Sequence, residues 1–128
     1  MQHITKDPLL GRPISPKDFR DLRHRLSPDS NKPLTQQLFS ELLGVSWSTV
    51  ARWEGGGRPD AHMARKLARL RRALNVLGDM VKREHRLAFF KQHHPLLLNL
   101  RPIDLLEAEE GAMAVIRLLE GAETGAFA

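Results

Sequence analysis

Apolar residues recur along most of this chain at intervals of three and four, which places them on one face of an α-helix. The clearest stripe predicts a long helix that begins near Asp60 or Ala61 and is broken at Gly78 and Asp79. Its members are Met63, Leu67, Leu70, Leu74 and Leu77. Tyrosine is absent, and leucine, alanine and arginine are abundant, a balance that favours helix over strand. The pattern therefore predicts an all-α fold.

Helix start signals predict further helices on both sides of this stripe. Ser15 is a good N-cap, and proline follows it at the first helical position. With Asp18 in the first turn, this predicts a helix that runs to about Leu26. A less regular stripe predicts another helix from about Met80 to Gln92.

The final third of the chain predicts a short helical turn followed by a last helix. Pro102 can open the turn. Glu109 and Glu110 would then lie in the first turn of the last helix, where negative charge complements the helix macrodipole. The expected buried face of this helix consists of Ala112, Val115, Ile116 and Leu119.

The segment from Leu34 to Asp60 has the pattern of two short helices joined by a tight turn. Thr35 is a good N-cap for the first helix, and Gly44 can adopt the positive φ of a turn. Ser46 is a good N-cap for the second helix. Trp53 falls on the apolar side of that helix, and we expect it in the core.

The other side of the second helix carries side chains suited to a DNA major groove. They are Trp47, Ser48, Thr49 and Arg52. From about Phe19 to Leu74 the chain resembles the helix-turn-helix domain of Xre/Cro-type transcriptional regulators, since the turn, the apolar positions and the WEGG exit coincide.

This resemblance implies that the second helix contacts DNA, with Arg58 beside it and Gln36 on a phosphate near a helix N-terminus. The alternative is an ordinary solvated face, and for Trp47 a purely structural role.

Charge is distributed unevenly along the chain. Residues 1–92 carry a net charge of +9, and residues 93–128 carry −4. Opposite charge in the two parts suggests two surfaces with two kinds of partner, the basic one suited to phosphates. A dense basic run allows three interpretations: a solvated face, contacts with the DNA backbone, or contacts with the acidic part of a neighbouring chain. Its members are Arg58, Arg65, Lys66, Arg69, Arg71 and Arg72.

The final third, from about Leu87 to Ala128, resembles the toxin-binding domain of the Xre/MbcA/ParS antitoxin family. The resemblance lies in the run Arg101–Leu106, in the Glu110-Gly111 step and in an ending of acid, one residue, Gly, one residue, Phe, Ala. Family members typically have a tryptophan-leucine pair upstream and a double glycine before the Arg-Pro step. Here Phe89-Phe90 stands near the first and Asn99-Leu100 replaces the second.

The resemblance implies an antitoxin that pairs with a RES-domain toxin, an enzyme that degrades NAD. The C-terminal segment would block the toxin's active-site cleft, while the helix-turn-helix represses the operon by binding operator DNA. An acidic, glycine-bearing tail would fit a site built for a pyrophosphate, and Phe127 would fill an apolar pocket. The predicted toxin-binding residues are Glu120, Glu123, Thr124, Gly125, Phe127 and Ala128.

Catalytic, cofactor and metal motifs are absent from the sequence. Gly55–Gly57 follows no predicted strand and precedes no Gly-Lys-Ser/Thr, so it is interpreted as a turn rather than a phosphate loop. His93-His94 has no metal-binding spacing, and the lack of cysteine excludes disulfides and thiolate metal sites. We expect no enzyme activity, no cofactor and no metal. No apolar run could span a bilayer, and the N-terminus lacks the pattern of a signal peptide, so we expect a cytoplasmic protein.

The sequence thus predicts an N-terminal arm at 1–14, a helix-turn-helix domain at 15–78 and a helical toxin-binding domain at 79–128. A homodimer is the expected minimal DNA-binding unit, within a larger toxin-antitoxin complex. One alternative is a plain helix-turn-helix repressor with a C-terminal dimerisation domain and no toxin partner. Another is an antitoxin whose helix-turn-helix no longer binds DNA, against which the basic character of residues 1–92 argues.

Overall fold

A computed structural model of the protein describes residues 14–78 and 80–123, with side chains up to Gly121. Within these residues the secondary structure is helical and no strand is present. The α-helices, numbered α1 to α7, are Pro16–Leu26, Gln36–Leu43, Trp47–Glu54, Ala61–Leu77, Arg83–Lys91, Pro102–Leu105 and Glu109–Glu123, and a 3₁₀-helix at Pro95–Leu97 lies between α5 and α6. The all-α prediction is confirmed. No helix of the described part is both long enough and apolar enough to cross a membrane.

The predicted helix starts are confirmed by hydrogen bonds. Asp18 Oδ2 accepts from the Ser15 backbone N–H at 2.8 Å, which closes a capping box on α1. Thr35 Oγ1 accepts from the Leu38 N–H at 3.1 Å and caps α2. Because such caps depend on residues three apart, the sequence alone is enough to place them.

The core runs through the whole described chain. The predicted stripe of α4 lies in it, with Leu67, Leu70, Leu74 and Leu77 fully buried and Met63 partly buried at its edge. Apolar residues of α1, α2, α3, α5, α6 and α7 join the same cluster. The proposed boundary at residues 78 and 79 therefore falls between helices that share one core.

The predicted helix from Met80 to Gln92 begins later than expected. The N–H groups of Met80 and Val81 both donate to Leu77 O at 2.9 Å, so these residues extend the turn that ends α4. Lys82 is extended and precedes α5, which ends at Lys91. In α7 the expected buried face is confirmed except for Ile116, which is only partly buried.

The loop that precedes α6 contains two non-glycine residues in the left-handed region. Leu98 has φ 55° and Asn99 has φ 64°. Asn99 thus takes a positive φ where the resembled family has glycine, and asparagine is among the residues that tolerate this conformation best. The loop is closed by the N–H of His94, which donates to Leu100 O at 3.1 Å.

Gly111 allows α7 to pack directly on the end of α6. A Cβ atom at this position would lie 1.9 Å from Leu105 O and 2.8 Å from Leu105 C. No real side chain can approach a backbone so closely. The Glu110-Gly111 step of the sequence therefore has a steric cause.

Candidate nucleic-acid interface and C-terminal surface

The turn between α2 and α3 has the geometry that the sequence predicts for Gly44. Its φ is 75°, in the left-handed region, and no atom lies within 4 Å of an added Cβ. The N–H of Val45 donates to Ser40 O at 3.0 Å, which reverses the chain after α2. The turn leads into α3, which packs against α2.

The predicted DNA-binding side of α3 is exposed. Trp47 keeps 58% of its surface accessible, Ser48 and Arg52 are exposed, and Thr49 is partly buried. Ser46 Oγ lies 2.7 Å from Thr49 Oγ1 and 3.1 Å from Ser48 Oγ, so three hydroxyls gather at the start of the helix. These groups can donate and accept hydrogen bonds at DNA base edges or phosphates.

The two tryptophans occupy opposite environments. Trp53 keeps only 2% of its surface accessible and stacks on Phe19, with ring centroids 5.4 Å apart. This confirms that Trp53 belongs to the core. Trp47 contributes an exposed indole instead, which the core does not require.

Arg58 follows a loop that is tied to α3. The Gly57 N–H donates to Arg52 O at 2.8 Å, and the exposed Arg58 comes next in the chain. The loop therefore brings Arg58 close to the C-terminal end of α3. Arg52 and Arg58 are thus presented from neighbouring segments.

A nearly buried ion pair that sequence reasoning missed joins α1 to α3. Arg23 donates to both carboxylate oxygens of Glu54, at 2.8 and 2.7 Å, and to Leu34 O at 2.7 Å. Gln36 Nε2 also donates to Glu54, at 3.1 Å. One amide hydrogen of Gln36 is thus engaged within the fold, and its predicted phosphate contact stays a prediction. Glu54 belongs to the WEGG exit, the only local signal that could have drawn attention to it.

Much of the basic run pairs with acidic residues of the same chain. Lys66 forms an ion pair with Glu107, and His62 Nε2 lies 2.6 Å from the other oxygen of that carboxylate. Glu109 pairs with Arg72 at 3.0 Å and with Arg69 at 3.5 Å. We call this contact between α4 and the segment from Glu107 to Glu109 the charged seam.

The charged seam shows that half of the basic run forms ion pairs within the chain. Lys66, Arg69 and Arg72 face acids of their own chain rather than a neighbouring one. Arg71, which is buried, lies 3.8 Å from Asp18. Of the six basic residues, Arg58 and Arg65 are the ones exposed to solvent.

Two carboxyl groups of the C-terminal part have altered acidity. Burial opposes ionisation of Glu107, but hydrogen bonds from Lys66 and His62 outweigh it and lower the pKa of this carboxyl. The bidentate hydrogen bond from Arg101, at 2.8 Å to each oxygen, lowers the pKa of Asp104. The same bond raises the pKa of Arg101. This clamp spans the first turn of α6, within the run that carries the family resemblance.

Most predicted toxin-binding residues lie outside the described part of the chain. Glu120 is exposed on α7, and Glu123 is its last residue. Thr124, Gly125, Phe127 and Ala128 lie beyond the described residues. Their roles stay predictions.

No group of three or more metal-binding side chains gathers anywhere in residues 14–78 and 80–121. No protein-family model matches the chain, and no curated protein is significantly similar to it.

Proposed function

We propose that this protein is an antitoxin that binds operator DNA through α3 and neutralises a RES-domain, NAD-degrading toxin through its C-terminal segment. The observation that carries the DNA-binding part is the exposed polar face of α3 behind the Gly44 turn. The toxin-binding part rests on the family resemblance of the final third.

Geometry and charge both support DNA contact by α3. An exposed helix beginning with three hydroxyls, Ser46, Ser48 and Thr49, and continuing to Arg52 matches the groups that contact base edges and phosphates. The nearly buried Arg23–Glu54 ion pair fixes the end of α3 to α1, on the side opposite the exposed face.

The C-terminal part supports the second function through features that lie within the motif. The Arg101–Asp104 clamp fixes the first turn of α6, and Gly111 allows α7 to pack against it. These features give α7 a defined direction, and α7 ends at Glu123, immediately before the tail. A toxin that binds NAD needs cationic groups for the pyrophosphate, which the carboxylates of Glu120 and Glu123 near the end of α7 would complement.

A plain repressor is the second candidate function, in which the exposed leucines near α6 would serve dimerisation and no toxin would be bound. A toxin partner distinguishes the two candidates. The test is co-expression of the full chain with the product of the neighbouring gene, in a host that this product poisons, with growth and cellular NAD followed together. Rescue with a stable complex supports the antitoxin. Operator binding without toxicity or a complex supports the plain repressor.

A further inference from the structure

The C-terminal part concentrates apolar side chains on its surface. Leu96, Leu98, Leu100 and Met113 keep 64, 88, 44 and 41% of their surfaces accessible. Leu96 also lines a shallow groove of about 350 Å³, which is bordered by Ala114, Arg117, Leu118 and Gly121 of α7. Exposed apolar side chains beside a groove are typical of protein interaction sites.

Leu98 is held outward by an unfavourable backbone. The left-handed region is unfavourable for leucine because its Cβ crowds the backbone, and here the side chain is also left in water. Strain of this kind persists where it serves a function or where the surrounding structure enforces it. The loop thus keeps a large apolar side chain exposed, two residues along the chain from Leu96 of the groove, at an energetic cost.

The outward face of α7 carries charged side chains that form no ion pair among the described residues. Other acids of the C-terminal part are paired, Asp104 with Arg101, and Glu107 and Glu109 within the charged seam. Glu110, Arg117 and Glu120 are exposed and have no ion-pair partner among the described side chains. This face therefore has both signs of charge available.

We propose that α7, with the Leu96–Leu98 segment beside it, forms a symmetric interface with a second copy of this chain. In an antiparallel arrangement of two α7 helices, the two-fold axis would pass between Met113 and Ala114. Glu110 of each copy then lies opposite Arg117 of the other. Ala114 has a small side chain and Gly121 has none, which lets the helices approach closely.

The order of charges favours a second copy over another partner. Glu110 and Arg117 are equally far from the midpoint between Met113 and Ala114, so these two charges are complementary to their own copies across the axis. They lie seven residues apart, about 10 Å along the helix, too far to pair within one chain. The exposed leucines supply the apolar surface that a symmetric interface needs. This inference stands whether or not the chain binds a toxin.

The test measures the self-association of the full chain by sedimentation equilibrium. Arg117→Glu should raise the dimer dissociation constant at least about tenfold, because each substitution acts at two symmetry-related places. Glu110→Arg should have a similar effect, and Glu110→Arg combined with Arg117→Glu should restore the wild-type value to within about threefold, since exchanged charges pair again only across the interface. Lys17→Glu, an equal charge change on the exposed start of α1, is the matched control.

Leu98→Asn provides a second variant that keeps the fold. Asparagine favours the left-handed backbone, and the leucine side chain it replaces is exposed, so stability should be kept or improved while self-association weakens. The proposal is overturned by a chain that stays monomeric, or by a dimer that the Arg117 and Leu98 variants leave unchanged. It is also overturned if the charge exchange fails to restore association in a double variant that unfolds like the wild type.

Discussion

The guanidinium of Arg23 holds the carboxylate of Glu54 through two hydrogen bonds, although 31 residues separate them along the chain. Arg23 keeps 7% of its surface accessible, and its third contact is the carbonyl of Leu34. One ion pair thus joins α1, the residue before the α2 N-cap and the end of α3. The exposed face of α3 depends on this arrangement.

Arg23→Leu should destabilise the fold by about 3–5 kcal/mol, because it leaves the Glu54 carboxylate nearly buried without its cation. Urea unfolding followed by circular dichroism measures the change. Arg20→Leu, an exposed position on the same helix, is the control and should change stability by less than about 0.5 kcal/mol. An equal loss of unfolding free energy in the two variants would show that the ion pair does not stabilise the fold more than an exposed arginine does.

Arg52→Ala should weaken operator binding by about 1–3 kcal/mol if Arg52 reads a base edge. If Arg52 contacts a phosphate instead, binding should weaken for all DNA sequences alike. The slope of log affinity against log salt concentration should then become shallower by about one. Fluorescence anisotropy at several salt concentrations separates the two. Lys91→Ala, exposed on α5, is the control, and toxin binding should be unchanged in both variants. A parallel loss of toxin binding would contradict the proposed division of labour.

The parts of the fold that the sequence predicts well are those set by local patterns. Thr35, Gly44 and Ser46 each act on atoms within five residues, so their roles follow from spacing alone. The α4 stripe likewise follows from helical periodicity. The start of α5 was predicted too early because Met80 and Val81 continue the turn that ends α4, which apolar spacing cannot distinguish from helix.

Contacts between distant residues could not be predicted in this way. The uneven charge suggested separate partners for the two parts, yet Lys66 and Glu107 meet within one chain, 41 residues apart. Composition gives the net charge of each part of the chain, but it does not show which helix faces contact each other in the fold. For the same reason the ion pair of Glu54 could not be predicted, because its partner Arg23 lies in another helix.

Gly111→Ala should destabilise the packing of α7 on α6, because the added Cβ would collide with the Leu105 carbonyl. Relieving the overlap requires a shift of α7, for which we expect a loss of about 1–3 kcal/mol. Thermal unfolding of the variant measures it. Ala114→Gly is the contrasting change in the same helix, where helix propensity, about 1 kcal/mol, and the core contact of one partly buried methyl group should be lost without any steric overlap. A Gly111→Ala variant as stable as the wild type would contradict the steric role.

Stability should fall in acid through loss of the Glu107 charge. Because the pKa of Glu107 is lower in the folded state than its ordinary value of 4.5, the carboxylate stabilises the fold above that value. The contribution disappears as the pH falls through the lower, folded pKa. Glu107→Gln should therefore cost about 1 kcal/mol at neutral pH, a modest figure because the side chain is partly exposed, and nothing in strong acid.

Urea unfolding of Glu107→Gln and wild type across this pH range measures the difference. Glu41→Gln, an exposed position on α2 without an ion pair among the described residues, is the control and should follow the wild type throughout. A constant offset between Glu107→Gln and the wild type at every pH would show that lost packing, rather than charge, explains its effect.

Deletion of residues 124–128 should abolish toxin neutralisation and leave operator affinity unchanged. The cut follows Glu123, the last residue of α7, so the helix and the core beneath it are kept. Replacement of the same five residues by glycine and serine keeps the length but removes Phe127, and it should fail equally if a side chain fills the cleft. Growth rescue, complex formation and anisotropy on operator DNA measure the three functions. Neutralisation by the truncated chain would mean that the toxin is inhibited through the surface of α7, upstream of the tail.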